Sequence, residues 1–374
     1  MRFPFLPDVL LEPPAEFAML REQAPVARVS LPTGDSAWLV TRLPAVRQVL
    51  ADPRLSRALT TVDGAPRLGP ARPEPYSIMA MDPPDHTRLR RLVAPAFSSG
   101  RISRLREGIT SVTASLLDAF VSPADVVAGL AQPLPMAVIC SMLGVPVADQ
   151  AQFREWTDTS LGLGIGQLEE VVGAREKLHD YLTDLVASKG SLLPVEATPA
   201  EHVALGATLI TAGYHTVSAT IGNATLALLR HPAQMSLLRN DLSLLPQAVD
   251  ELLRYAPGPV SGGTMRIAME DLEIDGVLVR AGEAVIPSTS SANRDAAVFT
   301  DPDRLDLARS HNPHVAFGPG IHHCLGSHLA RVQLQVAFGG LVSRFPGLRL
   351  ACDVSELRWT NGMIRGLVSL PVQW

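Results

Sequence analysis

"FGPGIHHCLGSHLA", residues 317–330, sets a single cysteine, Cys324, among three histidines and three glycines. Gly318, Gly320 and Gly326 predict a tight loop with an exposed backbone. From Leu325 on, "LGSHLARVQLQVAFGGLVSRF" spaces its apolar residues three and four apart, so a helix begins at Cys324 or just after it. The N-terminus of a helix favours negative charge and lowers the pKa of a thiol, which favours the thiolate there.

The rest of the chain bounds what such a loop can belong to. With 374 residues it can bury a large core. A formal charge of −5 argues against a duplex-coating nucleic-acid binder, which gains affinity by setting clustered Lys and Arg against phosphates. Cys140, Cys324 and Cys352 are an odd and sparse set that cannot build a disulfide scaffold and fits a reducing cytosol. The opening "MRFPFLPDVLLEPP" places prolines and Asp8 where a secretory leader needs an unbroken apolar run. The expectation is a soluble, cytoplasmic protein with neither nucleic acid nor membrane as partner.

No repeat and no Gly/Ser linker divides the chain, so a single domain over 1–374 is expected. "ARVSLPTGDSAWLV" (27–40) predicts a hairpin around a Pro-Thr-Gly-Asp turn, and "LEIDGVLVRAGEAVI" (272–286) a second β stretch around Asp275-Gly276. Most of the remainder has helical periodicity, giving a mainly α chain with small sheets. The longest periodic segment opens on "TPAE": Thr198 caps, Pro199 takes the first helical position, Glu201 completes a capping box, and Pro232 stops the run. Between Val203 and Leu229 there is no Asp, Glu, Lys or Arg, a length that could cross a membrane. Its threonines, Tyr214, His215 and Asn223 make it too polar for a lone span and predict a helix buried in a soluble domain. At about 1.5 Å per residue, about thirty residues reach about 45 Å.

By residue type Cys324 could be a small buried apolar residue, a zinc ligand, or the thiolate ligand of a haem iron. His311, His314, His322, His323 and His328 lie near it, yet neither a Cys-x-x-Cys pair nor a His-x-x-x-His register accompanies them. The whole string bears on the choice. "FGPGIHHCLG" resembles the Phe-Gly-x-Gly-x-His-x-Cys-x-Gly signature of the cytochrome P-450 family, specifically its soluble bacterial members. The resemblance implies a mainly α P-450 fold with protohaem (haem b) between the central long helix and the cysteine-ligand helix. It makes Cys324 the proximal iron ligand, puts Phe317 beside the thiolate, lets Gly318 and Gly326 bring backbone close to the cofactor, and turns His322 to a propionate.

Further stretches are similar to family elements in the same order. "MDPPDHTRLRRLVAPAF" supplies His86 and Arg90, four apart and able to reach one propionate, and "TMRIAMEDLEIDG" supplies Arg266 as a further propionate ligand. Glu251 and Arg254 match the Glu-x-x-Arg pair, which the family joins to a second arginine from a later loop. "DPDRLD" places Arg304 in that part. "AGYHTV" resembles the family's Ala-Gly-x-(Asp/Glu)-Thr element. By that likeness Ala212 and Gly213 open the helix groove for dioxygen, and Thr216 helps deliver protons for its cleavage. His215 stands where most members carry an acid, which leaves it a proton shuttle, a spacer or a substrate contact.

The implied activity is monooxygenation of a medium-sized organic substrate by dioxygen in bacterial secondary metabolism, with electrons from a ferredoxin and its ferredoxin reductase. Between His86 and Arg106 there is no acidic residue, while Arg88, Arg90, Arg91, Arg101, Arg104 and Arg106 accumulate. They form either an ordinary solvated face or a docking patch for an acidic ferredoxin. Oxidative coupling without oxygen insertion and a non-catalytic haem sensor remain as alternatives. By the same resemblance the substrate pocket draws on 59–79, 161–166, Thr208, Ala212, 260–264 and 363–364.

Overall fold

The computed structural model describes residues 1–5, 11–68, 76–160, 168–189, 196–256, 264–360 and 364–374. In chain order its helices are α1 (Ala15–Gln23), α2 (Leu43–Ala51), α3 (Asp85–Val93), α4 (Ser99–Asp118), α5 (Pro133–Leu143), α6 (Gln150–Ser160), α7 (Leu168–Lys189), α8 (Pro199–Arg230), α9 (Pro232–Asn240), α10 (Leu245–Tyr255), α11 (Thr289–Ala292) and α12 (Ser327–Arg344). The strands are β1 (Val26–Ser30), β2 (Ser36–Val40), β3 (Leu55–Ser56), β4 (Ala124–Asp125), β5 (Arg266–Ala268), β6 (Leu272–Ile274), β7 (Val277–Val279), β8 (Ala284–Pro287), β9 (Arg349–Leu350) and β10 (Pro371–Gln373). Two compact units result, one from Met1–Leu89 with Asp250–Leu325, the other from Arg90–Val249 with Gly326–Trp374.

In the first unit a sheet of order β1-β2-β8-β5-β3 carries the core. The hairpin expected over 27–40 forms, with Val26 opposite Val40 and Ser30 opposite Ser36. The stretch 272–286 divides into two structures. β6 and β7 pair across Asp275 (φ 46°) and Gly276 (φ 79°), whose two positive φ values make the tight turn that suits strand twist. β8 leaves that hairpin and joins the main sheet beside β2 in parallel.

α2 packs its apolar stripe of Leu43, Val46, Val49 and Leu50 into the same core. Its first turn has a remote cap, because Leu43 N donates to Asp295 Oδ2 at 2.8 Å. Its C-terminal end, at Leu50 and Ala51, carries backbone that the Cys324 loop rests on.

The deepest polar feature of this unit centres on Glu251. Arg254 donates to both its oxygens (Nε–Oε2 2.7 Å, Nη2–Oε1 2.8 Å), Arg309 Nε adds a third bond at 3.0 Å, and Asp306 N a fourth at 3.0 Å. The second arginine is thus Arg309, not Arg304. The Arg304 side chain is mostly exposed and pairs with Asp306, and only its backbone carbonyl enters the network, accepting from Arg254 at 3.2 Å. The two arginines lie five apart in one loop, and the loop turns the first outward and the second in.

The second unit is built around α8. Its start is as expected: Thr198 accepts from Glu201 N, Glu201 reaches back to Thr198 N, and Pro199 leads the helix. The helix packs against α5, α7 and α12, so its apolar residues are buried on most sides. Hydroxyls fit there because they bond back to their own turn. Thr211 Oγ1 donates to Ala207 O at 2.9 Å and Thr220 Oγ1 to Thr216 O at 2.7 Å. Among the described residues no helix is long and apolar enough to cross a membrane.

Truncating one member of a buried ion pair leaves a charge without its partner. Arg309→Ala should therefore lose about 3–5 kcal/mol in denaturant unfolding. Arg304→Ala keeps the carbonyl that matters and should stay within about 0.5 kcal/mol of the parent chain.

Candidate functional site

Cys324 lies three residues ahead of α12, in a loop closed by short backbone bonds. Cys324 N donates to Phe317 O at 2.9 Å, His323 N to Gly320 O at 3.0 Å and Gly318 N to Val315 O at 3.0 Å. Gly318 (φ 61°) and Gly320 (φ 83°) both take left-handed backbone, and a Cβ on Gly320 would sit 2.6 Å from the Leu50 carbonyl oxygen. Gly326 is different. Its φ is −84° and no protein atom comes within 4 Å of where its Cβ would be, so neither backbone nor protein packing calls for glycine. A flat ligand passing close to the chain would.

The three cysteines differ in setting. Cys140 is fully buried and its thiol is pushed up to about 12 by burial, which makes it an apolar core residue. Cys352 is pushed up by burial and by Glu356 and Asp353. Cys324 is only half-buried, at the end of the glycine loop. Among the described residues no group of three or more His, Cys, Asp or Glu side chains gathers to hold a metal, and His314 is engaged with Asp250 at 3.3 Å.

Beside this loop the first unit collects cations. His86 is buried and its ring centroid lies 4.3 Å from that of half-buried His322. Arg266 is buried on β5 and donates to Thr264 O (3.2 Å), Thr264 Oγ1 (3.1 Å) and Leu50 O (3.4 Å). Burial pulls it down to about 9, the like charge of Arg57 adds to the effect, and Asp82 opposes it. Arg57 itself is pulled down to about 10 by burial and donates to Met265 O (2.5 Å) and Met79 O (2.9 Å). Asp82 raises both arginines through its charge while its oxygens accept from Ser56 Oγ at 2.5 Å, Arg57 N at 2.9 Å and Ala58 N at 3.3 Å. Two guanidiniums held by carbonyls and repelling one another suit an anionic ligand. Arg57 escapes a sequence reading because its partners lie in sequence more than twenty and more than two hundred residues away. Arg90, the other predicted cation, is half-buried on α3.

In the second unit α8 presents Ala212, Gly213 and Thr216 half-buried, with Tyr214 and His215 buried. Thr216 Oγ1 donates to Ala212 O at 2.5 Å, which commits its proton and leaves its oxygen free to accept. A Cβ at Gly213 would meet Ile139 Cδ1 at 2.9 Å. This glycine therefore lets α5 close on α8, a packing duty the sequence pattern does not reveal. His215 Nε2 lies 3.6 Å from Asp158 Oδ1 on α6. Burial pulls the imidazole down to about 4, opposed by the Thr157 carbonyl that accepts its hydrogen bond, so it is uncharged at neutral pH.

Of the basic stretch, Arg88, Arg91, Arg104 and Arg106 are exposed and Arg101 is half-buried. Arg106 reaches Gln335 Oε1 at 2.7 Å. The pocket positions expected at 69–75, 161–166, 260–263 and 363 lie outside the described residues.

The chain is similar to known proteins along its whole length. A family profile described as Cytochrome P450 matches residues 167–350. Nocardicin C N-oxygenase of Nocardia uniformis subsp. tsuyamanensis is 44% identical, covering 100% of this chain and 98% of its own. The crystal structure of the LnmA cytochrome P450 hydroxylase, from the leinamycin biosynthetic pathway of Streptomyces atroolivaceus, is 44% identical, with a TM-score of 0.93 and coverage of 100% and 99%. That of SgvP, a putative thioether synthase in the tailoring step of griseoviridin, is 42% identical, with a TM-score of 0.94 and full coverage of both chains.

The two kinds of glycine should respond differently to a methyl group. Gly320→Ala meets both the left-handed backbone and the Leu50 carbonyl, and should cost about 1–3 kcal/mol in the denaturant unfolding of the protein. Gly326→Ala should leave that stability within about 0.5 kcal/mol and instead lower the amount of cofactor retained through gel filtration.

Proposed function

The chain belongs to the cytochrome P450 family of haem-thiolate enzymes, and we propose that residues 1–374 act as one catalytic domain oxidising a medium-sized organic molecule of secondary metabolism. Bound haem supplies dioxygen activation, with delivery of one oxygen atom or removal of hydrogen atoms. The chain's own part is to hold the group, seat the substrate and govern protons. Cys324 would provide the axial thiolate. Arg266, His322, His86 and Arg90 would meet the propionates, Phe317 would pack beside the sulfur, and Gly318 and Gly326 would admit the macrocycle closely.

The observation that carries this reading is the half-buried thiol of Cys324, at the end of a glycine loop, in the same unit as the buried Arg266 and the half-buried Arg57, both held by carbonyls. The residues fit the group. The anion-seeking Arg266 answers a propionate, and the unobstructed Gly326 answers a flat ring. On α8, Ala212 leaves room beside Thr216, whose oxygen is an acceptor because its proton is spent on Ala212. That polarity lets Thr216 receive a hydrogen bond and orient a proton donor, while the uncharged His215 keeps fixed positive charge away.

A second reading has its own support. SgvP, 42% identical, is described as a thioether synthase, and coupling of that kind removes hydrogens without inserting oxygen. Product mass separates the two, since hydroxylation adds one oxygen and coupling removes two hydrogens. For electron supply, exposed Arg88 and Arg91 on α3 suit an acidic ferredoxin, with complementary charge acting mainly on the rate of encounter.

Reduced under carbon monoxide, the protein should show the red-shifted Soret band of a thiolate ligand, and Cys324→Ala should lose it even after haem supplementation. A band unmoved by that change would exclude Cys324 as the ligand. Reversing charge in Arg88→Glu/Arg91→Glu should slow reduction by an acidic ferredoxin about tenfold or more at low salt and much less at high salt. A salt-independent rate equal to that of the parent protein would place docking elsewhere.

A further inference from the structure

Arg57 follows β3 directly and faces a like charge. The β3–β5 pairing sets Leu55 opposite Ala268 and Ser56 opposite Ile267, so the next step along both strands brings Arg57 across from Arg266. Like charges at facing positions of antiparallel strands repel. A serine or a leucine at 57 would keep the pairing without that cost, yet the guanidinium is held fast, with Nε donating to Met79 O at 2.9 Å and Nη1 to Met265 O at 2.5 Å.

Those two carbonyls belong to different flanks of one place. Met265 is the residue before Arg266. Met79 leads towards α3 by way of Asp82, whose carbonyl accepts from His86 N at 3.0 Å and whose side chain accepts from Arg57 N, Ala58 N and Ser56 Oγ. Arg57 thus braces both the strand of Arg266 and the first turn of the helix that carries His86. Arg266, Asp82 and His322, the last from the loop of Cys324, border one cavity of about 30 Å³ together with Leu50 and Ala51.

The charges on this brace do not cancel. Among the described residues Asp82 is the one carboxylate that opposes burial and Arg57 in their effect on Arg266, and Asp52, which also borders the cavity, is taken by Arg54 at 2.7 Å. Two guanidiniums therefore answer to one carboxylate.

We propose that Arg57 is a positioning residue of the cofactor site: it fixes the strand of Arg266 against the start of α3, and it supplies the excess positive charge that raises the potential at which bound haem takes up an electron. The proposal deepens the haem-thiolate reading and rests on it for the anion, a propionate, that Arg266 meets. Reduction of ferric haem by a ferredoxin adds one electron and moves no bond, so a fixed cation nearby favours the reduced state over the oxidised one. Arginine suits both duties. Its planar fork reaches two carbonyls while staying charged, whereas a lysine ammonium keeps the charge as a single point and cannot bridge them in the same way.

The test uses full-length holoprotein and two readouts, the ferric/ferrous midpoint in a dithionite titration and the rate of haem transfer to apomyoglobin. Arg57→Gln should move the midpoint to more negative potential, Arg57→Lys should leave it near that of the parent protein, and Asp82→Asn, which removes the opposing charge, should move it to more positive potential. General loosening would not sort the three variants by charge. Haem transfer should be several-fold faster in both Arg57→Gln and Arg57→Lys, since neither side chain bridges the two carbonyls. Where Arg57→Gln retains too little haem to titrate, the other two variants carry the test. A parent-like midpoint in Arg57→Gln, a midpoint in Arg57→Lys as low as in Arg57→Gln, an Asp82→Asn midpoint at or below that of the parent, or unchanged haem transfer in the Arg57 variants overturns the proposal. Failure of the haem-thiolate reading shows separately, as absence of the thiolate carbon monoxide band from the unmodified protein.

Discussion

A single buried carboxylate organises the half of the chain that carries the cysteine loop. Glu251 has no accessible side-chain surface, yet it is ionically bonded to Arg254 and Arg309 and also accepts from Asp306 N and, at 3.3 Å, from Asn312 Nδ2. Arg254 passes the constraint on to the Asn293 and Pro302 carbonyls, and Asn293 Oδ1 in turn accepts from Val315 N at 2.8 Å. Asn293, Pro302, Asp306, Arg309 and Asn312 are thereby tied, directly or through Arg254, to one point. Such a network adds little net stability over apolar packing, because desolvation offsets the attraction. What it contributes is a unique path for a segment without regular secondary structure, and the loop ending at Cys324 starts where that path ends.

The cation set obeys the opposite logic. Glu251 is saturated with donors, whereas Arg57 and Arg266 are supplied with carbonyls and with each other. Burial of Arg266 and the like charge of Arg57 are opposed by Asp82, and an anionic ligand would complete the set. Binding that favours only the folded chain raises its stability by mass action, and a reading of apoprotein stability alone would miss part of the design.

How much of this is legible in the sequence depends on whether the partners are near in the chain. The capping box of α8 involves Thr198 and Glu201, three apart, and it is read to the residue. The hairpin over 26–40 and the helix after Cys324 are equally local. Arg309 was out of reach: "DPDRLDLAR" offers two arginines of identical chemistry, and only the turn of the loop decides that Arg304 faces outward. Arg57 answers carbonyls at 79 and 265, and Asp158 answers an imidazole fifty-seven positions on, so no window of sequence contains either pair. The same holds for Gly213, which resembles a motif glycine and is also needed by Ile139 on another helix.

Relatives described as an N-oxygenase, a hydroxylase and a thioether synthase lie within 42–44% identity of this chain, so one fold carries several outcomes. The physical constraints say where such variation can enter. Gly320 cannot change without displacing the Leu50 carbonyl, Arg266 is held on a central strand, and Glu251 answers to four partners. Each is bound to backbone that the whole unit shares. Asp158, Tyr214 and His215 instead meet where α6 packs on α8, with Nε2 3.6 Å from Oδ1, and among the described residues the one backbone group they engage is the Thr157 carbonyl of α6, so variation there need not disturb a strand or a loop.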